Sequence, residues 1–535
     1  MPNPRGRSLT LALIIAAGCS GGSSPLPPAP VCHGTQPFPY PAADTYVGLH
    51  ADRENNNVVA CDGPAAVVEE WAALADTMIF QPIALSPSGD ALYATASKTD
   101  GCKVFAVDTA TGATRWCRDD FTLGVSGSSP EVDLDGNVYV TDGFDEETGG
   151  SALASITAGG ELRWRTSLEG LAGSPHATSR ALAGLHFTPG GHAATITPDG
   201  VVVLVDRASG AIHATFDMPA ATGYVPVAAN PLPIPGIPPY LQARLDTVVG
   251  PLTEDELAFI LGASTGGSGA FSNNTIAVTS QSQLLAVGGG PDPEHGSLIA
   301  MDLDESSEPP RVTLRWTSVI SGGSATSPAI SADGGRAAIG DGASHIVYVD
   351  IAACNADTDA DASVTGCAAR FTYDLVGGSI LGSMAVDSDG VVYAWNGGTD
   401  AAAPDLFALA DDGGTPQVRW ATNFTAADGF DRQWTSAATV LDDLVIGTVT
   451  TIRAAAGELL GIPIILDAYH EVVGVSRATG AVVWREPVYD DSINSLAIDP
   501  TGDIYVPLLG FLDLTSPNPN ATYQGGVVKY RRTAE

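Results

Sequence analysis

Short runs of alternating apolar and polar residues recur along almost the whole chain, each closed by Gly, Pro, Asn or Asp. Alternation with a period of two places one face of each run in a core and the other outside, which predicts β-strands. Val104 to Trp116 (VFAVDTATGATRW) returns as Val472 to Trp484 (VVGVSRATGAVVW). Both copies read as strand, glycine turn and second strand, a β-hairpin ending in Trp. A second phrase precedes several hairpins: Pro130 to Val140 (PEVDLDGNVYV), Met384 to Tyr393 (MAVDSDGVVY) and Leu496 to Val506 (LAIDPTGDIYV). Phrase plus hairpin makes a unit of four short antiparallel strands.

The aromatic that ends each unit counts the units. Trp71, Trp116, Trp164, Phe216, Trp316, Phe371, Trp420 and Trp484 stand 45 to 64 residues apart, except for a gap of 100 after Phe216. An insertion at about 218–272 accounts for that gap, with two short helices predicted at Tyr240 to Val249 and Thr253 to Leu261. Eight repeats of four strands predict an all-β, eight-bladed β-propeller, the radial arrangement that leaves only short sheet edges. The last unit, Ser495 to Tyr530, lacks its Trp strand, whereas Val67 to Trp71 is a Trp strand with no hairpin before it. The N-terminal strand is therefore expected to complete the eighth blade and close the ring. The expected organisation is a leader at 1–18, a tether and disulfide-tied segment at 19–63, and the propeller at 64–530.

Composition agrees: 61 Gly and 37 Pro suit tight turns, and 61 acidic against 24 basic residues give a formal charge of −37. Such a charge repels phosphate backbones, so no nucleic-acid partner is expected.

Arg5 and Arg7 precede an apolar run from Leu9 to Gly18, and Ala16-Ala17-Gly18 places small residues directly before Cys19. The segment resembles a bacterial lipoprotein signal, which implies that Cys19 is lipidated and becomes the mature N-terminus. With Ser20 in place of Asp after the cysteine, the segment resembles lipoproteins sent to the outer membrane, which implies that destination on a lipid anchor, and Ser20 to Pro30 reads as a flexible-to-extended tether. Six cysteines remain, an even number suited to an oxidising compartment, with no CxxC or haem spacing. Fifteen pairings are open to six cysteines. The hairpin reading selects Cys102–Cys117 and Cys354–Cys367 as facing cross-strand pairs, the latter by pairing Asp350 with Phe371, and leaves Cys32–Cys61.

The pattern Ala106-x-Asp108-x-x-Thr111-Gly112-x-x-x-Trp116 resembles the repeat of pyrroloquinoline-quinone-type propellers over about 64–530. That family includes quinoprotein alcohol dehydrogenases and the propeller lipoprotein of the outer-membrane β-barrel assembly machinery. In the dehydrogenases the resemblance implies a quinone held between adjacent cysteines and a Trp, with a metal ion and an Asp base. No two cysteines are adjacent here, so pyrroloquinoline quinone is not expected and no catalytic residue is assigned.

Asn355-Ala-Asp357-Thr-Asp359-Ala-Asp361 alternates carboxylates as calcium loops do, but it lacks the EF-hand Gly and Glu. Asp357, Asp359 and Asp361 are the calcium candidates, weighed against a solvated acidic turn. His186 and His192 flank a turn and read as a surface pair. The function expected is a non-catalytic envelope lipoprotein, a binding or assembly scaffold with a protein partner. A quinone-dependent dehydrogenase and a surface glycan- or peptide-recognition module are the alternatives.

Overall fold

A computed structural model describes residues 32–33, 48–97, 101–122, 125, 127–142, 151–168, 171, 184–228, 271–272, 274–324, 326–360, 366–375, 383–396, 404–424, 432–459, 462–510 and 525–533. Its strands form eight antiparallel sheets. Blades 1 to 7 span 84–118, 131–167, 185–217, 277–321, 329–374, 385–422 and 432–488. Blade 8 joins 497–532 to the strand Val67–Ala73, which pairs with Gly526–Arg532 in antiparallel register. The expected ring closure is thus made between the two ends of the chain. Blade 7 departs from four strands: Arg432–Thr435 and Thr439–Val440 both pair with the long strand Leu444–Leu459.

The innermost strand of each blade is short, and in blade 7 it is Thr439–Val440. Ala84–Leu85, Ala277–Val278, Ala329–Ile330, Ala385–Val386 and Ala497–Ile498 are wholly buried, whereas a last strand such as Thr114–Arg118 has no buried residue. Blades pack face to face through apolar clusters that join neighbours, as when Tyr93 and Ala106 of blade 1 meet Val138 and Ala154 of blade 2.

The repeated Trp and Gly explain each other. The indole N–H of Trp71, Trp116, Trp164 and Trp420 donates to a backbone carbonyl in the next blade's turn, at Thr109, Ala158, Arg207 and Arg477, over 2.8 to 3.1 Å. Each ring covers that turn's glycine. Gly480 has φ +73° and a Cβ there would lie 2.6 Å from the Trp420 ring, so both conformation and space require glycine. The DxDG phrase supplies a second latch. Tyr139 and Tyr393 donate to Asp133 and Asp387 at 2.9 Å, and Arg207 and Arg477 from the following blade reach the same carboxylates at 2.7 and 2.8 Å.

Three bridges form as paired in the sequence: Cys32–Cys61, Cys102–Cys117 and Cys354–Cys367. The register behind two of them is different. Phe105, not Cys102, stands opposite Cys117; Cys102 lies before the strand and reaches its partner over a Cα–Cα distance of 5.5 Å. Tyr348, not Asp350, pairs with Phe371. Asp350 instead accepts from Ala353 N–H at 2.9 Å, an N-cap that starts a helix over Ile351–Ala360 (here α2), which carries Cys354. In blade 5 this helix replaces the glycine turn, and Trp316 of blade 4 donates to Asn355 Oδ1 at 2.9 Å instead of to a backbone carbonyl.

The 218–272 insertion begins with a helix over Met218–Thr222 (α1), capped by Asp217 and ended by Gly223. The helices anticipated at 240–249 and 253–261 lie outside the described residues, as do the leader and Cys19.

Two substitutions test the latch by urea denaturation. Gly480→Ala is expected to cost about 2 kcal/mol through the close contact and positive φ. Trp420→Phe, which removes only the N–H donor and some ring area, is expected to cost about 1 kcal/mol. Equal stability of Gly480→Ala and the unsubstituted chain would contradict this packing.

Candidate functional site

A ring of blades encloses an axial channel, the usual place for a small ligand in such a fold. Here the chain's own residues occupy that axis at the level of the innermost strands. Arg53, Glu54, Asn56 and Asn57 accept, through their carbonyls, the N–H groups of Val278, Ile330, Val386 and Val440 at 2.7 to 2.9 Å. Those donors are the second residues of the innermost strands of blades 4, 5, 6 and 7. One short segment thus meets four consecutive blades. Val59 N–H then donates back to Val440 O at 2.9 Å.

The local sequence, His50-Ala-Asp-Arg-Glu-Asn-Asn-Asn57, suits a tight polar coil. His50, Ala51, Asn55 and Asn57 all take positive φ, between 54° and 73°, a region that Asn tolerates better than most residues. Asn57 N–H donates to His50 O at 2.9 Å and closes the coil. Asp52 accepts from the Asn56 amide at 2.7 Å and from Glu54 N–H at 3.1 Å. Asn57 Nδ2 donates to Met384 O at 3.0 Å, across 327 positions of sequence. His186, on the innermost strand of blade 3, hydrogen-bonds Asn55 Oδ1 through Nε2 at 2.6 Å and lies 3.4 Å from Glu131 of blade 2. A Cβ on Gly48 would fall 1.8 Å from Glu131 Oε2, so the coil is also closely fitted on that side.

This is a buried charged centre. Residues 50 to 57 are each at most 7% exposed, and Arg53 Nε pairs with Glu54 at 3.1 Å. Burial, reinforced by Glu54, pushes the Asp52 carboxyl well above its ordinary range, and burial also raises Glu54 against the pull of Arg53. Burial holds the His50 and His186 imidazoles down at about 3, with their mutual repulsion adding to the effect at His50. The imidazoles are therefore neutral at neutral pH. His186 is fully buried rather than part of the surface pair expected with His192. A second acid pair, Asp490 and Asp491, is also fully buried. Asp490 accepts from Gly525 N–H at 2.7 Å, and burial with the neighbouring Asp491 drives its carboxyl upward.

Two of the three calcium candidates lie on a helix instead of in a loop. Asp357 and Asp359 are on α2, where two positions turn the side chains about 200° apart, so they diverge instead of converging. Asp359 forms an ion pair with Arg315, and Asp361 lies outside the described residues. Among the described residues one group brings three metal-ligating atoms within 4.8 Å of one another: His33, Asp62 and Asp442.

No family model matches the chain, and no curated protein matches it. Solved structures do. The quinohemoprotein alcohol dehydrogenase of Comamonas testosteroni superposes with a TM-score of 0.51 at 14% identity, covering 92% of this chain and 82% of that one. The fold is shared with the quinoprotein dehydrogenases. A europium-containing methanol dehydrogenase (TM-score 0.48, 10% identity, 91% and 98% covered) and BamB from Moraxella catarrhalis (0.35, 12%, 88% and 100%) are also similar. At these identities the likeness extends to the propeller and not to any chemistry. The adjacent cysteines that the dehydrogenase resemblance calls for are absent from the sequence, all six described cysteines are in bridges, and the coil is hydrogen-bonded to the innermost strands at the axis.

The buried histidines set a pH dependence. His470, in blade 7, is likewise held at about 3 by burial alone. An unfolded chain binds protons at His50, His186 and His470 from about pH 6.5 downward, while the folded chain does not until about 3. These three contributions to stability are therefore lost as pH falls through that window. Asp52, Glu54 and Asp490 act oppositely: their raised values keep protons on the folded state, so their contribution is greatest in acid and is lost as pH rises. His470→Gln isolates one term. It is expected to flatten the acid-side dependence of unfolding free energy by up to about 1.4 kcal/mol per pH unit, as read from urea midpoints. An unchanged slope would show that His470 titrates normally.

Proposed function

We propose that this chain is a non-catalytic envelope lipoprotein whose propeller serves as a binding or assembly scaffold, held by acylated Cys19 at the outer membrane. One observation carries the reading: the axial coil His50–Asn57 takes up the channel that a cofactor-dependent propeller would keep for its ligand. Its hydrogen bonds to four blades make it a structural part of the ring rather than a removable lid. The buried acids Asp52, Glu54, Asp490 and Asp491, each at most 5% exposed, offer no open face to a substrate. Binding then falls to the outer surface and to the loops between blades, the usual interaction surfaces of repeat folds. The lipoprotein pattern around Cys19 and the even cysteine count support an exported, membrane-tethered location.

Two measurements test the proposal. Incubation of the purified chain with pyrroloquinoline quinone and calcium, followed by desalting, is expected to leave no quinone absorbance and no dye-linked alcohol oxidation; retained quinone would favour the dehydrogenase reading. Cys19→Ala is expected to move the protein from the membrane to the soluble fraction, with mass spectrometry of the unsubstituted N-terminus showing acylation. An unmodified residue there would remove the anchor.

A further inference from the structure

We propose that His33, Asp62 and Asp442 form a binding site for one divalent transition-metal ion of the zinc class, a clasp between the N-terminal segment and blade 7. The three side chains come from three places in the sequence and meet at the surface, with one imidazole nitrogen and two carboxylate oxygens within 4.8 Å of one another. His33 Nε2 and Asp442 Oδ2 are 2.7 Å apart. That is the separation of a hydrogen-bonded pair, so a bound ion would displace the shared proton and spread the two atoms to about 3.3 Å, the edge of a tetrahedral site.

The backbone holds all three positions before any ion arrives. Cys32 and Cys61 pair as an isolated antiparallel bridge with their Cα atoms 3.9 Å apart, and the two ligands are the residues that directly follow them, His33 and Asp62. His33 N–H donates to Ala60 O at 2.7 Å, fixing the first strand of this bridge. Asp442 is in the turn between Thr439–Val440 and Leu444, and its N–H donates to Cys61 O at 3.0 Å. Its neighbour Asp443 accepts from Gly63 N–H at 2.7 Å. Blade 7 and the disulfide therefore present the ligands from opposite sides of one short gap.

A mixed set of one imidazole and two carboxylates suits a borderline cation better than calcium, which prefers six or more oxygens. Three protein ligands exposed to solvent leave a fourth position for water. The location gives the site its consequence: Asp62 lies between the axial coil and the closing strand Val67–Ala73, so an ion there would join both to blade 7. The inference is independent of the scaffold reading, since a clasp of this kind serves a catalytic or a non-catalytic ring equally.

The test is titration of the full, disulfide-intact chain with zinc chloride after chelator treatment, followed by isothermal calorimetry. One ion per chain is expected, with affinity at least about tenfold weaker in both His33→Ala and Asp442→Asn. His213→Ala is the control, because His213 Nδ1 lies 3.1 Å from His192 Nε2 in a histidine pair of blade 3 that belongs to no part of this site. It is expected to leave zinc affinity unchanged. Circular-dichroism melts without zinc are expected to match among the variants, so that lost binding reports the site and not the fold. Absence of saturable binding in the unsubstituted chain, binding within about twofold in both ligand variants, or loss of binding in His213→Ala would each overturn the proposal.

Discussion

The N–H groups of Val278, Ile330, Val386 and Val440 face the axis from the innermost strands of four blades, where no further strand can be added. A buried N–H without an acceptor costs a free energy comparable to that of a lost hydrogen bond, so the axis of this ring needs acceptors or water. The carbonyls of Arg53, Glu54, Asn56 and Asn57 supply them. Much else follows from that solution. The coil must turn tightly to bring successive carbonyls to successive blades, which calls for positive φ and hence for Asn at positions 55 and 57. The coil stands just before the strand Val67–Ala73, which closes the ring at its outer edge. The route from axis to outer strand crosses the blade 7 turn, where Cys61, Asp62 and Gly63 are fastened to Asp442 and Asp443.

Most of the ring was legible because its interactions repeat at fixed sequence offsets. Gly112 and Trp116 are four residues apart in one hairpin, yet each meets a neighbouring blade: Trp71 covers Gly112, and Trp116 covers Gly160. A packing rule between blades therefore appears in the sequence as a local motif. The Asp–Tyr–Arg latch was half visible. Asp133 with Tyr139 and Asp387 with Tyr393 lie within the quoted phrases, but Arg207 and Arg477 come from the next unit and occupy a position held elsewhere by Thr109. The axial coil left no such signal. It has no apolar period, and its partners lie as far away as Val440, which donates to Asn57 O across 383 positions. The run of three Asn residues was the available clue, since such a run is poor strand and suits left-handed turns.

At α2 the alternating acids at 357, 359 and 361 were read as a calcium loop or an acidic turn, and Asp350 as a strand residue. The structure instead has Asp350 capping a helix over Ile351–Ala360. The helix prevails because Asn355 on it satisfies the buried indole N–H of Trp316. The Cys354–Cys367 bridge then ties the helix back toward the strand that starts at Phe371. The cysteine pairing survived a register off by two positions because a disulfide needs suitable Cα and Cβ separation, not direct cross-strand opposition.

The electrostatics of the axis bear on why the coil persists. Three carboxyls, Asp52, Glu54 and Glu131, and one guanidinium, Arg53, share a nearly dry space with two neutral imidazoles. Full ionisation of all three acids would leave excess negative charge in low dielectric, and Asp52 avoids this by retaining its proton to a higher pH. Arg53 meets Glu54 directly, while Asn55, Asn56 and Asn57 provide uncharged donors to the remaining oxygens and carbonyls. Breaking one member of such a network leaves buried polar groups that hydrophobic packing cannot compensate, so the network specifies one seating of the coil more than it adds stability. The coil is thereby part of the ring's own hydrogen-bond network, seated on four blades through its backbone and held by its side chains in one arrangement.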